Sequence, residues 1–249
     1  MRQCSTVTAP PGRSEVFVAA PNLAETLAEI CEMDAPLWRR IELFVEKQRE
    51  AGSPFVEATE KVVARLRAGD VGESAPKPGE VMPPFVLPAK GGRLVALEDL
   101  TRAGPVVVSF NRGHWCPFCR IELSALAAAH DDLAALGARV VSIMPDRQHY
   151  VGRLPRAVTE RILVLSDIDS AYALSLGLTM WLGDGMGELM LRHGVDLDQI
   201  HGSGGWVVPV PATFVVGRDG RVIARLVEHD FRRRMNVEDI RAALAGEET

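Results

Sequence analysis

The chain has 249 residues, enough for one large domain or a domain with an extension, and its 47% hydrophobic and 24% charged content is that of an ordinary globular protein. A net charge of −5 excludes the global basic field of a nucleic-acid binder or a protein held on anionic membranes. No apolar run is long enough to span a bilayer, and "MRQCSTVTAPPGRSEVFVAAPNL" has no basic stretch leading into an apolar one, so the sequence reads as cytoplasmic, with no membrane or nucleic-acid partner.

The first elements read as helices. Leu23, Leu27 and Ile30 share one face, Pro36 opens a turn that continues through Ile41, Phe44 and Val45, and after "AGSP" come Phe55, Val62, Val63 and Leu66. These stripes need a partner, either the rest of the chain or a second copy in a homodimer through the N-terminal helices. We assign 1–68 to this helical extension, 69–80 ("AGDVGESAPKPGE" and its flank) to a linker, and 81–249 to the main domain. In the main domain "RLVAL" predicts a short strand, and "PVVVSF" (Pro105 to Phe110) a buried central one. Cys119, Leu123, Leu126, His130 and Leu133 then recur at helical spacing. "ARVVSIM" and "ILVLSD" predict further strands, followed by a helix from Ser170 and a loop-rich stretch through Gly205. "ATFVV" and "RVIARLVE" form a hairpin across "GRDG", and "NVEDIRAALAG" closes the chain as an amphipathic helix. The alternation predicts an α/β sandwich with a mixed sheet.

The chemistry concentrates in "RGHWCPFCR", Arg112 to Arg120, which holds two of the four cysteines. Pro117 suits the first position of a helix, which places Cys116 at the N-cap, where backbone N–H groups and the helix dipole favour a thiolate. Cys119 lies one turn further in, on the core face, and should be the less exposed of the two. That asymmetry fits an attacking and a resolving thiol. A zinc site would need about four ligands, and no second Cys-x-x-Cys or His-x-x-x-His completes one, so neither metal nor cofactor is expected. Cys31 reads as a small buried hydrophobe and Cys4 as part of a tail. Trp115 should pack beside Cys116, and Trp181 and Trp206 are candidates for lining a pocket or the core. "GDGMG" lacks the end of a phosphate loop. "FRRR", with Arg232 to Arg234, reads as a solvated or salt-bridged loop before the last helix, or as a site for an anionic substrate or partner.

"WCPFCR" after a buried strand, "VPVPATFVVGRDGRV", "GEVMPPFVLPAKGGRLVALEDL" and "EHDFRRRMNVEDIRAAL" resemble the peroxiredoxin-like branch of the AhpC/TSA (redoxin) family, in the thioredoxin superfamily, over Val81 to Gly246. The resemblance implies a thioredoxin-like three-layer sandwich and thiol-dependent redox activity. It makes Cys116 the catalytic nucleophile, Cys119 its resolving partner, and Pro211 the counterpart of a cis-proline. A cis Val210–Pro211 bond facing Cys116 would leave the Val210 backbone free for an extended substrate. Trp115, Pro117, His114 and Arg120 join Val210 and Pro211 as substrate-positioning candidates.

Two departures bear on substrate. The typical Pro-x-x-x-Thr/Ser-x-x-Cys pattern finds Ser109 at its proline position and Gly113 at its hydroxyl position, and the arginine of the late strand is replaced by Pro211. Arg112, Arg120 and His114 are the groups at hand to replace that arginine. The expected activity is therefore reduction of disulfides or oxidised thiols by the Cys116–Cys119 pair, with slow peroxide reduction. The alternatives are a thiol peroxidase acting on hydrogen peroxide or alkyl hydroperoxides, and a redox-fold binding or sensing module. The expected reductant is a thioredoxin- or glutaredoxin-type protein or a low-molecular-weight thiol.

Overall fold

The computed structural model describes residues 21–202 and 205–246; Cys4 and its tail lie outside the described residues. Three helices come first: α1 (Pro21–Glu32), α2 (Leu37–Glu50) and α3 (Phe55–Arg67). α2 buries Leu37, Ile41, Phe44 and Gln48, a four-three-four spacing that keeps one stripe inward, and α3 buries Phe55, Thr59, Val62, Val63 and Leu66 in the same way. The stretch after α3 runs in turns along the main domain. Gly72 N–H donates to the Gly177 carbonyl (3.1 Å), and Arg225 donates to the Ala75 carbonyl (2.5 Å).

The hairpin β1 (Val86–Pro88) and β2 (Leu94–Ala96) leads into α4 (Leu97–Ala103) and then β3 (Val106–Phe110). The helix predicted from Cys119 to Leu133 is two helices, α5 (Pro117–Ala128) and α6 (His130–Ala135), because Ala129 (ψ 3°) leaves helical geometry between them. β4 (Arg139–Met144), α7 (Gln148–Val151), α8 (Arg156–Arg161), β5 (Leu163–Ser166) and α9 (Ala171–Ser175) follow. The stretch read as loop-rich contains more order than expected: β6 (Thr179–Trp181), α10 (Asp184–Arg192), α11 (Leu197–His201) and β7 (Val207–Pro209), with β6 and β7 paired antiparallel. Its order comes from burial of Met186, Leu189, Met190, Leu197 and Ile200, which tertiary packing supplies and short-range pattern does not. β8 (Ala212–Val216), β9 (Val222–Val227) and α12 (Val237–Ala245) end the described chain.

The central sheet has the order β5-β4-β3-β8-β9 among the described residues, parallel across β5, β4 and β3 and antiparallel from β3 to β8 to β9. Its strands are apolar on both faces, as a sheet covered on both sides requires. Val106, Val108 and Phe110 of β3 pack with Leu97, Leu100 and Tyr172 on one side. Val107 packs with Leu123, Leu126, Val158 and Ile240 on the other. This is the mixed-sheet α/β sandwich that the alternation predicts, in the thioredoxin-like three-layer form that the resemblance implies. A third apolar cluster joins α1, α2 and α3 to α5, α10 and α11. The stripes of the N-terminal helices are thus covered within the chain, by the main domain. Among the described residues no helix is long and apolar enough to cross a membrane.

Candidate functional site

Strand β3 ends at Phe110, and α5 begins seven residues later at Pro117. Cys116 is the N-cap of α5, in extended geometry (φ −81°, ψ 116°), and its sulfur accepts the Cys119 backbone N–H at 3.3 Å. Pro117 at the first helical position sacrifices no hydrogen bond there. Both thiols are free. Arg112 turns back from the loop so that Nη2 donates to Cys116 Sγ at 3.1 Å, while its backbone N–H donates to Cys119 Sγ at 3.4 Å. The guanidinium lies over the Phe231 ring (4.0 Å) and near the Trp115 ring (5.6 Å), and its buried Nε has no hydrogen-bond partner among the described residues.

The two sulfurs are driven apart in acidity. Burial alone would raise the Cys116 thiol, but the hydrogen bond with Cys119 and the guanidiniums of Arg112 and Arg234 outweigh it and bring the thiol down to about 5. Cys119 is pushed well above the ordinary thiol range by burial and by the neighbouring Cys116. One sulfur is therefore an anion at neutral pH and the other a thiol that holds its proton.

Behind Cys119 lies a network that the sequence reading missed. Glu122 is 1% exposed on α5. Its Oε1 accepts from Ser109 Oγ (3.2 Å) and Thr213 Oγ1 (3.1 Å), two residues directly opposite each other on β3 and β8. Its Oε2 is ion-paired to Arg234, whose Nη2 lies 3.8 Å from Cys119 Sγ. Burial raises the Glu122 carboxyl although Arg234 opposes it. The run read as a solvated or salt-bridged loop is thus divided: Arg232 is salt-bridged to Asp230 and Glu60 near the surface, while Arg234 is buried against the site.

A second network fixes the loop from the other side. Asp146, fully buried just beyond β4, accepts the His114 backbone N–H (2.8 Å) and the His114 ring Nδ1–H (2.7 Å). His201 Nε2, from α11, stands 3.4 Å from the other Asp146 oxygen and 3.4 Å from Trp115 Nε1. Burial would raise the Asp146 carboxyl, yet its bonds to His114 and His201 hold it below the usual range. Gly113 has φ +136°, and a Cβ there would collide with Asp146 and the Trp115 indole. Only glycine lets the loop pass this point.

Several expectations need correction. Cys116 and Cys119 are equally inaccessible, both 0% exposed, because the cluster containing Phe44, Phe55 and Leu66 closes over the helix that carries them. No described peptide bond is cis, so Val210–Pro211 is trans. The Val210 N–H is not left for a substrate either: it donates to the Leu178 carbonyl at 2.8 Å, continuing the β6–β7 ladder one residue past each strand. Val210 and Pro211 are both buried, and Val210 shares the cluster with the thiols. Trp115 is 2% exposed and packs in the same cluster. His114 positions the loop through Asp146. Arg120 does not reach the thiols; it lies on another face of α5, beside Cys31. Trp181 is 52% exposed, stacked by Arg65 outside the site, and Trp206 packs partly buried at the edge of the cluster.

A thiol pair at the junction of a central strand and a helix, in this sandwich, defines a thiol-dependent oxidoreductase of the thioredoxin fold. The AhpC/TSA family model matches residues 78–225, well over half of the sequence, and the chain belongs to that family. The similar solved structures include the peroxidoxin BcpB of Mycobacterium tuberculosis, at 21% identity and TM-score 0.52 over 69% of this chain and 97% of that one. Reduced Prx3 of Vibrio vulnificus in complex with hydrogen peroxide aligns at 22% identity and TM-score 0.53 over 68% and 98%. A mutant peroxiredoxin 6 of Arenicola marina aligns at 16% and 0.54 over 69% and 73%. No curated protein matches the sequence. The three N-terminal helices precede the matched segment.

Proposed function

We propose that this protein is a thiol peroxidase for hydrogen peroxide or a small alkyl hydroperoxide, with Cys116 as the peroxidatic thiol and Cys119 as the resolving one. The observation that carries the reading is the Arg112 guanidinium, with one nitrogen on Cys116 Sγ and a buried, unpartnered Nε available to a substrate oxygen. It supplies from the loop the charge that Pro211 removes from the late strand. In the reaction the Cys116 thiolate attacks one peroxide oxygen: the S–O bond forms, the O–O bond breaks, and the alcohol or water leaves with a proton. Arg112 stabilises the charge developing on the leaving oxygen. Cys119 then attacks the sulfenic acid, expelling water and forming the Cys116–Cys119 disulfide. Glu122 and Arg234 are suited to manage the Cys119 proton, since the carboxyl is raised by burial and the guanidinium faces the sulfur. A thioredoxin- or glutaredoxin-type protein, or a low-molecular-weight thiol, returns two electrons, which suits a reducing cytoplasmic setting.

Burial of both sulfurs supports a small oxidant over a peptide disulfide, which would need α1–α3 displaced and has no free Val210 N–H to pair with. The second reading, disulfide reduction, is favoured by the unequal acidity of the pair, which suits mixed-disulfide exchange equally well. Stopped-flow oxidation of the reduced protein by hydrogen peroxide, followed by Trp115 fluorescence, beside an insulin-disulfide reduction assay, separates the two. Peroxide oxidation faster than that of free cysteine, with weak insulin reduction, is expected. Efficient insulin reduction with peroxide reactivity no greater than free cysteine would overturn the proposal.

A further inference from the structure

Outside the thiol site, a cleft of about 510 Å³ opens between α1, α2, α5 and α8. Three arginines line it. Arg120, on α5, makes no side-chain hydrogen bond or ion pair among the described residues; it lies within electrostatic reach of the Cys31 thiol, and its Nε is buried without an acceptor. Arg40, on α2, is 7% exposed; it donates to the carbonyls of Ala35 (2.8 Å) and Cys31 (3.3 Å) and has no carboxylate within ion-pair distance among the described residues. Arg161, at the rim, is shared between the Ala127 carbonyl and Asp131. The one acidic lining residue, Glu32, is exposed. Apart from Cys31 and Ser124, the rest of the wall is small and apolar: Ala28, Ala127, Ala128, Pro155, Ala157 and Val158.

Buried guanidinium without an anion is costly, and an unsatisfied buried donor calls for a partner. The fork of an arginine matches a carboxylate or a phosphate, and the cleft falls in the ~300–1,000 Å³ range of small-molecule sites. We propose that this cleft binds a small organic anion, with a carboxylate or phosphate head on Arg120 and Arg40 and a short apolar body on the alanine wall. Arg40 belongs to the covering helices and Arg120 to the helix that carries the thiols, so the occupant bridges the two layers. The proposal does not depend on which oxidant the thiols reduce.

The test is calorimetric titration of the full chain with phenyl phosphate, benzoate, inorganic phosphate and phenol, beside iodoacetamide labelling of Cys31 read by mass spectrometry. Phenyl phosphate or benzoate is expected to bind and to slow Cys31 labelling, while phenol does neither; the better of the two identifies the head group, and inorganic phosphate shows what the body adds. Arg120→Met should weaken binding at least about tenfold, the loss of a charge-assisted bond, and abolish the protection of Cys31. Because the Arg120 side chain makes no hydrogen bond or ion pair among the described residues, the variant should melt like the wild type. If it does not fold, the contrast between phenyl phosphate and phenol in the wild type decides. The proposal is overturned if neither organic anion binds at ~10 mM, if phenol binds as well as they do, or if Arg120→Met binds them unchanged.

Discussion

Replacing Arg112 with methionine removes the guanidinium but leaves an unbranched apolar stem against Phe231 and Trp115. The lost contact is a charge-assisted hydrogen bond at 3.1 Å to a fully buried sulfur, of the kind worth about 1.5–3 kcal/mol. At ~1.36 kcal/mol per unit, that is about one to two units of thiol acidity. In the wild type, Cys116 is lowered to about 5, so its alkylation rate is flat above that pH and falls as pH drops through it. In Arg112→Met the fall should come about one to two units higher. At pH 8 the thiolate is essentially complete in both proteins, so alkylation rates should converge there. The peroxide rate should not: the variant also lacks the donor for the leaving oxygen, and a residual deficit of about 10²-fold is expected from loss of one such donor. Iodoacetamide alkylation across pH, alongside stopped-flow peroxide oxidation at pH 8, measures the two effects separately. An unchanged alkylation midpoint with an unchanged peroxide rate would refute the role given to Arg112.

Cys119→Ser should leave Cys116 arrested as a sulfenic acid after one equivalent of peroxide, seen as a dimedone adduct by mass spectrometry; an unlabelled Cys116 here, with an adduct on Cys119 in Cys116→Ser, would reverse the assignment of the thiols. Phe44→Ala should cost about 3–5 kcal/mol in urea unfolding, because Phe44 is wholly buried edge-on to Phe118 at 5.8 Å. It should also speed Cys116 alkylation by loosening the cover, and a destabilised variant with unchanged alkylation would argue that α2 does not limit access. Glu122→Gln should destabilise by about 3–5 kcal/mol by stranding a buried cation, and the pair Glu122→Leu with Arg234→Met should recover most of the loss in thermal melts. A double variant worse than the single one would count against that account.

The frame of the fold was legible because each signal is local. Alternation and turn residues mark β8 and β9, a continuous apolar run marks β3, and Pro117 fixes where α5 starts and so places Cys116 at its cap. What was not legible depends on distant partners. The N-terminal stripes declare that they need a surface but not which one, so closure of both thiols could not be read from them. Asp146 and His201 come from elements far along the chain, and nothing in their neighbourhoods announces the loop they hold. The Arg232–Arg234 run hides one inward residue among outward ones. A usable clue to it existed: Glu122 occupies a core position beside Cys119, Leu123 and Leu126, and a carboxylate on an apolar helix face asks for a buried cation. The expectation of a cis-proline came mainly from resemblance, and nothing near Pro211 in the sequence announces that the Val210 N–H is taken up by Leu178 at the end of the β6–β7 ladder.

Gly113 constrains how this site can change. It stands where relatives with the fuller motif carry a hydroxyl, yet the space a side chain would need is filled by Asp146 and the Trp115 indole, and the backbone there is in a region that L-residues resist. Threonine therefore cannot be regained by one substitution. A lineage moving from this arrangement to the hydroxyl-bearing one would have to rebuild the His114–Asp146–His201 lattice and turn the loop in the same step, passing through intermediates that hold neither. The two arrangements behave as separate solutions to positioning one sulfur, and grafting the missing motif onto this chain should unravel the loop before it improves the chemistry.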